Sequence, residues 1–372
     1  MRRLGRCFDG VMTTVALPVP YAPSVEYRED DEGEQGAEIN AALGKIRDRT
    51  FKDYGHAVRS VHAKSHGLLN GEVTVPENLS PELAQGLFAK PGRYDAILRF
   101  STIPGDILHD NVSVPRGLAI KVLKVPGARL AGSESATTQN FLLVNGPVFS
   151  SSDARPFVRN LKLLAASTDK AEGAKKVLSA ALRGIESVVE AAGGKSSTLM
   201  TLGGHPRTNI LGETYYSQVP IRYGFYMAKI SVAPVSAELV ALKNKALPAH
   251  GHDAIRDAVV EHFAKAGGTW ELRVQLCRDL ASMPIEDAAK EWPEDQSPYV
   301  AVARIEVPPQ AGWSAERSSA IDDGMSFSPW HGLDAHRPLG SIMRLRKASY
   351  ELSAAFRSQR NSCPVHEPGF NK

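Results

Sequence analysis

The spacing Arg346-Lys-Ala-Ser-Tyr350, with Arg357 further along, holds the clearest chemistry in the chain. On a helix turning about 100° per residue, positions 346, 350 and 357 fall within about 40° of one another. Two arginines and a tyrosine then share one stripe. An arginine one turn from a phenol favours the phenolate, because a nearby positive charge lowers the acid's pKa. A phenolate is a hard, charged axial ligand for ferric haem. Arg357, about two turns beyond Tyr350, suits a bidentate pair with a haem propionate. The same pattern suits a solvated helix face with its tyrosine packed inward, and the spacing alone does not choose.

Three more clusters carry polar side chains in suggestive company. They are Arg59-Ser-Val61-His62-Ala-Lys64-Ser-His66, Arg99-Phe-Ser101-Thr, and Asn145-Gly-Pro147-Val-Phe149 followed by Asp153 to Phe157. Taken singly, each has a plain meaning. His62 suits a structural or exposed histidine, Arg59 and Lys64 suit surface charges, Asn145 suits a turn, and Phe157 suits a core. His250-Gly-His252 lacks a third ligand at usable spacing for a metal. Cys363-Pro364 sits in a polar tail, and Cys277 in a strand pattern that suggests a core residue. No Walker or dinucleotide glycine fingerprint is present, and GGHPR at 203–207 is best read as a turn.

Such groups need elements to position them. Residues 1–35 read as an N-terminal extended arm, in which 13–35 combine prolines with the acidic run Glu29–Glu34, and 36–372 as one domain. A helical pattern begins at Ala37 and continues to about residue 60. Short β-branched or aromatic runs between Gly/Pro turns follow at Glu72–Val75, Tyr94–Thr102, Leu118–Val125 and Thr138–Val144. The series continues at Arg222–Val232, Thr269–Cys277 and Tyr299–Val307, with a weaker run at Asn209–Tyr216. Few long helices separate the first four runs, so antiparallel pairing fits better than a βαβ array. Helical periodicity also marks 154–166, 170–193, 252–267 and 341–358. An α+β fold is expected: an eight-stranded antiparallel β-barrel with surrounding helices.

Composition narrows the classes. With 44 basic and 41 acidic side chains, the net charge of +3 is too small to argue for nucleic acid. No apolar stretch approaches the ~18 residues of a membrane-spanning helix. Hydrophobic residues make up 42% of the chain, ample for a core. Cys7, Cys277 and Cys363 are odd in number and far apart, so a reducing, cytoplasmic compartment is expected. The basic leader and apolar run are broken by Pro18 and Pro20 and lack a small-residue cleavage site, which speaks against a secretory signal. Met12 is an alternative start.

In their order, the clusters resemble the haem catalase family. RSVHAK at 59–64 is similar to the family's distal-histidine motif, LRFST at 98–102 to the strand after it, and PRGLAIK at 115–121 to its PRG-[FL]-A-x-K segment. NGPVF at 145–149 and the Asp153 to Phe157 spacing resemble the distal asparagine loop and the phenylalanine that stacks on the porphyrin. RKASY with Arg357 resembles the proximal-tyrosine motif and its second arginine. One match would be noise; the series in family order is not. The resemblance is dense at 50–160 and 325–358 and thin between. The chain is shorter than typical catalases, and FSPWHGLDAHRPLG at 327–340 is similar to a small branch of the family, in which an NADPH site is not expected. The family's Asn-Asn pair is reduced here to Val144-Asn145, and Asn145 takes the distal position.

The resemblance implies haem b, with Tyr350 as the iron ligand and Arg346 keeping it ionised. His62 would move a proton between the two peroxide oxygens, Ser101 would fix its tautomer, and Asn145 would hold peroxide by its amide. Arg59, Arg99 and Arg357 would neutralise propionates, and Phe157 would cover the ring. Related enzymes that rearrange fatty-acid hydroperoxides carry threonine just before the distal histidine. Val61 lacks that hydroxyl and crowds the access path, which favours disproportionation of hydrogen peroxide to water and oxygen. The rivals are a haem peroxidase or an allene oxide synthase-like enzyme on the same scaffold, and a haem sensor or carrier without turnover. A polar distal side argues against the last. Whether identical chains assemble is left open.

Overall fold

The structure, a computed structural model, describes residues 16–167, 206–247 and 251–368. Its strands are β1 (Ser65–Val75), β2 (Gly92–Thr102), β3 (Arg116–Val122), β4 (Gln139–Val144), β5 (Tyr215–Tyr216), β6 (Ile221–Tyr223), β7 (Tyr226–Pro234), β8 (Gly268–Leu276) and β9 (Val300–Val307). All pair antiparallel in the order β5-β4-β3-β2-β1-β9-β8-β7-β6. A further pairing of β5 with β7 closes eight of them into a barrel and leaves β6 outside the ring.

Alternation along each strand separates two environments. Phe100, Leu118, Tyr215, Ile230, Trp270 and Ile305, from six strands, belong to one buried cluster that fills the barrel. Burying each such side chain contributes roughly 1.5–3 kcal/mol. The alternate residues Ile97, Arg99 and Ser101 therefore face outward, where other elements bury them.

The helices are α1 (Glu32–Tyr54), α2 (Ala154–Ser167), α3 (Ala237–Val240), α4 (Ala254–Phe263), α5 (Ala315–Ser318) and α6 (Ser341–Arg360). Ile39, Leu43 and Ile46 of α1 pack with Val158 and Leu161 of α2 and Leu345 of α6. The segment after α5 opens with a π-helical turn at Ser319–Asp323. Its Ile321, Met325 and Phe327 lie on Leu68 and Ile97, covering the outer face of β1 and β2.

Several elements differ from expectation. The first helix starts at Glu32 and takes in part of the acidic run, so the arm ends sooner. Residues of that arm lie on the barrel: the Val19 N–H donates to the Cys277 carbonyl at 2.8 Å, and Tyr21 N–H to the Phe225 carbonyl at 2.8 Å. Arg222–Val232 is not one strand. Gly224 adopts φ 62, a left-handed conformation that glycine takes at little cost, and turns the run into the β6–β7 hairpin. Asn209–Tyr216 is mostly a capped 3-10 turn, and its last two residues make β5. The helix expected at 170–193 lies outside the described residues.

Candidate functional site

The chain leaving α1 runs along α6 before it enters β1. Asn361 accepts from the Ala57 N–H at 2.8 Å and donates to its carbonyl at 2.9 Å, while Ser60 Oγ lies 3.3 Å from Ser353 Oγ. His62 follows with φ 55. A side chain in this left-handed region typically costs about 1–2 kcal/mol, and such outliers cluster at functional sites. Both backbone groups are pinned: the N–H donates to the Ile103 carbonyl at 2.6 Å, and the carbonyl accepts from Arg99 Nη2 at 2.8 Å.

The imidazole is equally fixed. Its Nδ1 lies 3.0 Å from Ser101 Oγ. The tautomer that donates from Nδ1 leaves Nε2 as a proton acceptor. Strand register places Ser101 opposite Gly117, where a Cβ would stand 2.5 Å from His62 Cε1 and 3.1 Å from Ser101 Oγ. Glycine thus gives the ring its seat. Burial, with the charges of Arg99, Arg346 and Arg59, pushes the imidazole pKa from 6.5 down to about 3. A neutral base stands there at ordinary pH. Gly117→Ala is expected to lengthen the His62–Ser101 hydrogen bond and to cost about 1–3 kcal/mol by overpacking. Denaturant unfolding checks the second; an unchanged midpoint would contradict it.

Arg59, Arg99 and Arg357 come together on the same side. Asp322 is the carboxylate that Arg59 and Arg99 share. Its Oδ1 accepts from Arg99 Nε at 2.6 Å and Arg59 Nη1 at 3.2 Å, and its Oδ2 from Ser65 Oγ at 2.7 Å and Ser318 Oγ at 2.8 Å. Arg357 donates to the Ser353 and Met325 carbonyls, each at 3.2 Å, while its buried Nε finds no partner. Two buried guanidiniums and the half-buried Arg59 therefore gather beside Asp322 and Asp323, which both act on Arg59 and Arg357. Although burial works against its charge, Arg99 and Arg59 hold the Asp322 pKa down to about 2 from 3.8.

A depressed carboxylate pKa stabilises the fold above the unfolded value. The roughly 2 kcal/mol that this shift represents should be lost as pH falls from about 4 towards 2. Asp322→Asn should cost about 3 kcal/mol even at neutral pH, because it strands buried charges. Urea unfolding at pH 7 tests this, and a change below ~0.5 kcal/mol would be inconsistent with the pairing.

The stripe on α6 forms as its spacing requires. Arg346 Nη2 donates to Tyr350 Oη at 2.5 Å. The same guanidinium lies 5.7 Å from the Phe149 ring, which meets Phe157 edge-on at 5.1 Å. Val61 and Phe157 are both half-buried against the cluster shared by α1, α2 and α6. The Arg346 charge also reaches the His62 imidazole and lowers its pKa.

Asn145 is held differently. Its Oδ1 accepts from the Arg116 N–H at 2.8 Å, and its Nδ2 donates to Glu213 Oε2 at 3.1 Å. It thus borders the Arg116–Gly117 end of β3, with its amide oriented by the protein. Lys64 is structural: buried, it donates to Asp110 at 2.7 Å and to the Leu108 carbonyl at 2.8 Å. His252 meets His109 edge-on, with ring centres 5.6 Å apart, and His250 lies outside the described residues. No three His, Cys, Asp or Glu side chains among the described residues gather as metal ligands. No helix among them is long and apolar enough to cross a membrane. A surface cavity of about 770 Å³ beside the middle of β1 and the end of β9 contains none of the candidate residues.

Sequence reasoning passed over Asp322, Glu213 and the seat at Gly117. Only the pair Asp322-Asp323, just before the 327–340 stretch, hinted that the arginines had a counter-charge nearby.

No family model matches the chain, and no curated protein matches it. Solved structures do. It is similar to a fungal catalase over 87% of this chain and 66% of that one, at 17% identity and TM-score 0.57. Catalase A from Saccharomyces cerevisiae is similar over 86% of this chain and 66% of that one, at 17% identity and TM-score 0.57. A bacterial catalase matches over 87% and 62%, at 15% identity and TM-score 0.57. The chain spans about two thirds of the length of the first two, 66% of each. At such identities the likeness is one of architecture: this closed eight-stranded antiparallel barrel with its surrounding helices has the fold of the catalases.

Proposed function

We propose that the chain is a haem-dependent catalase, converting hydrogen peroxide to water and oxygen, with Tyr350 as iron ligand and His62 as acid/base. One observation carries this: the charges of Arg346, which donates to Tyr350, and of Arg59 and Arg99, from the arginine cluster, all act on a doubly pinned, neutral His62. Buried charge of one sign is costly unless it is compensated. A haem brings two propionates, whose negative charge suits this arginine cluster, and the unpartnered Nε of Arg357 offers a donor. The residues present fit the group.

Bound haem would supply an iron centre able to take peroxide and store its oxidising equivalents. The rest falls to the chain. Arg59, Arg99 and Arg357 would hold the propionates, and Arg346 orients the Tyr350 oxygen by donating to it. His62 Nε2 takes a proton from one peroxide oxygen and returns it to the other, a transfer worth typically 10²–10⁴-fold. Ser101 keeps the imidazole in the required tautomer. Asn145, oriented by Glu213, donates to peroxide. Phe149, Phe157 and Val61 exclude water from the ring.

Titration with haemin tests the assignment before any turnover. One equivalent should bind and give a ferric–phenolate spectrum; no binding, or a histidine-type spectrum, would overturn it. Product analysis with a fatty-acid hydroperoxide separates the rival. A rearranged product formed faster than oxygen from hydrogen peroxide would move the assignment to a hydroperoxide-converting enzyme.

A further inference from the structure

A second polar site lies on the same outer face, further along β3 and β4 from His62. Lys121, only 1% exposed, places Nζ 3.3 Å from Thr138 Oγ1 and 5.4 Å from the centre of the Phe327 ring. Its carboxylate partner comes from the chain beyond α6. The His366 N–H donates to the Gly324 carbonyl at 2.9 Å, and Glu367 Oε1 then lies 2.6 Å from His331 Nε2 and 4.0 Å from Lys121 Nζ. Arg129 joins the group by donating from Nη2 to the Thr138 carbonyl. Burial lowers the Lys121 pKa only to about 8. The Glu367 carboxyl, despite burial, is held near 2 by His331 and Lys121. Both partners are charged at neutral pH.

Four polar atoms here are buried without a hydrogen-bond partner: Arg129 Nη1, Asn140 Oδ1, His331 Nε2 and Glu367 Oε2. Asn140 is 2% exposed and stands directly across from Lys121 in the β3–β4 register. An unsatisfied buried group of this kind costs about 1–3 kcal/mol. Gathered beside a buried ammonium, they mean that the tethered Glu367 leaves donors and an acceptor unused. A free carboxylate, not held by the chain, can move onto the donors that the tethered one does not reach.

We propose that Lys121, Arg129, His331 and Asn140 form a binding site for an organic monocarboxylate, occupied in cis by Glu367 until a ligand displaces it. Glu367 supplies the template: one negative charge on two coplanar oxygens. The Phe327 ring that flanks Lys121 also lies 5.9 Å from Arg59, so an occupant sits one aromatic ring from the arginine cluster. A tethered carboxylate competes at an effective concentration in the millimolar range. Binding to the wild-type chain is correspondingly masked.

The test uses the full-length protein and butyrate, by calorimetric titration. Glu367→Gln should bind butyrate at least ~10-fold more tightly than wild type, in keeping with loss of the tethered competitor. Adding Lys121→Met should remove that binding, and neutral butyramide should not bind either variant. In the wild-type protein, saturating butyrate should speed hydrogen exchange at the His366 amide, which the displaced segment no longer protects. Equal affinity in wild type and Glu367→Gln, binding that survives Lys121→Met, or unchanged His366 exchange would each overturn the proposal. Inorganic phosphate binding as tightly as butyrate would show a general anion site and overturn the carboxylate assignment. None of these readouts needs haem, so failure here is distinct from failure of the catalase assignment.

Discussion

Tyr350→Phe is expected to abolish the ferric–phenolate spectrum and to lower peroxide turnover more than ~100-fold, beyond what losing an outer-shell partner costs a metal site. Phenylalanine keeps the ring and removes only the oxygen, so packing around Tyr350 should survive. Arg346 loses its 2.5 Å partner but keeps its contact with Phe149. Stability should change by about 1 kcal/mol, the worth of one hydrogen bond. The ferric absorption spectrum and a denaturant curve, taken on the same preparation, separate loss of the ligand from loss of the fold. A variant that keeps both the spectrum and the turnover would remove Tyr350 from the iron.

His62→Ala should bind haem as wild type does yet react with peroxide roughly 10²–10⁴-fold more slowly, the usual contribution of a positioned acid/base. His62→Gly serves as a control, because glycine accepts φ 55 without strain. If both variants lose turnover alike, the missing imidazole is the cause. The pH profile follows from the same residue. With its pKa near 3, His62 stays neutral, so the peroxide reaction should be flat from about pH 5 to 9. Stability behaves oppositely to that of a paired histidine. The unfolded chain binds a proton below pH 6.5 that the buried ring refuses, so the fold should weaken by up to about 1.4 kcal/mol per pH unit as pH falls. That slope should be shallower in His62→Ala.

Much of this arrangement is local and therefore readable in sequence. Tyr94–Thr102 alternates because Ala96, Leu98 and Phe100 fill the barrel while Arg99 and Ser101 face the helices. The α6 stripe is set by helical geometry alone, and Arg346 meets Tyr350 as that geometry requires. Barrel closure is not local. It rests on Tyr215 and Tyr216, a strand too short to show any period, pairing with Ser231 and Val232. The β6–β7 turn depends on one glycine in a run that otherwise looks continuous.

Counter-charges are also invisible along the chain. Asp322 and Arg99 are 223 residues apart in sequence, and only folding reveals which carboxylate the arginines share. Gly117 is prominent in PRGLAIK, yet its reason is the His62 ring packed on it from a distant segment. Asn145 occupies the turn its sequence suggests. What orients its amide is Glu213, which no local pattern links to it.

Oxygen evolution from hydrogen peroxide by the haem-loaded protein, with its ferric spectrum recorded on the same sample, tests the central claim most directly. Rapid oxygen release together with a phenolate-ligated spectrum is the predicted result. A haem-loaded, phenolate-ligated protein that releases no oxygen would contradict catalase function.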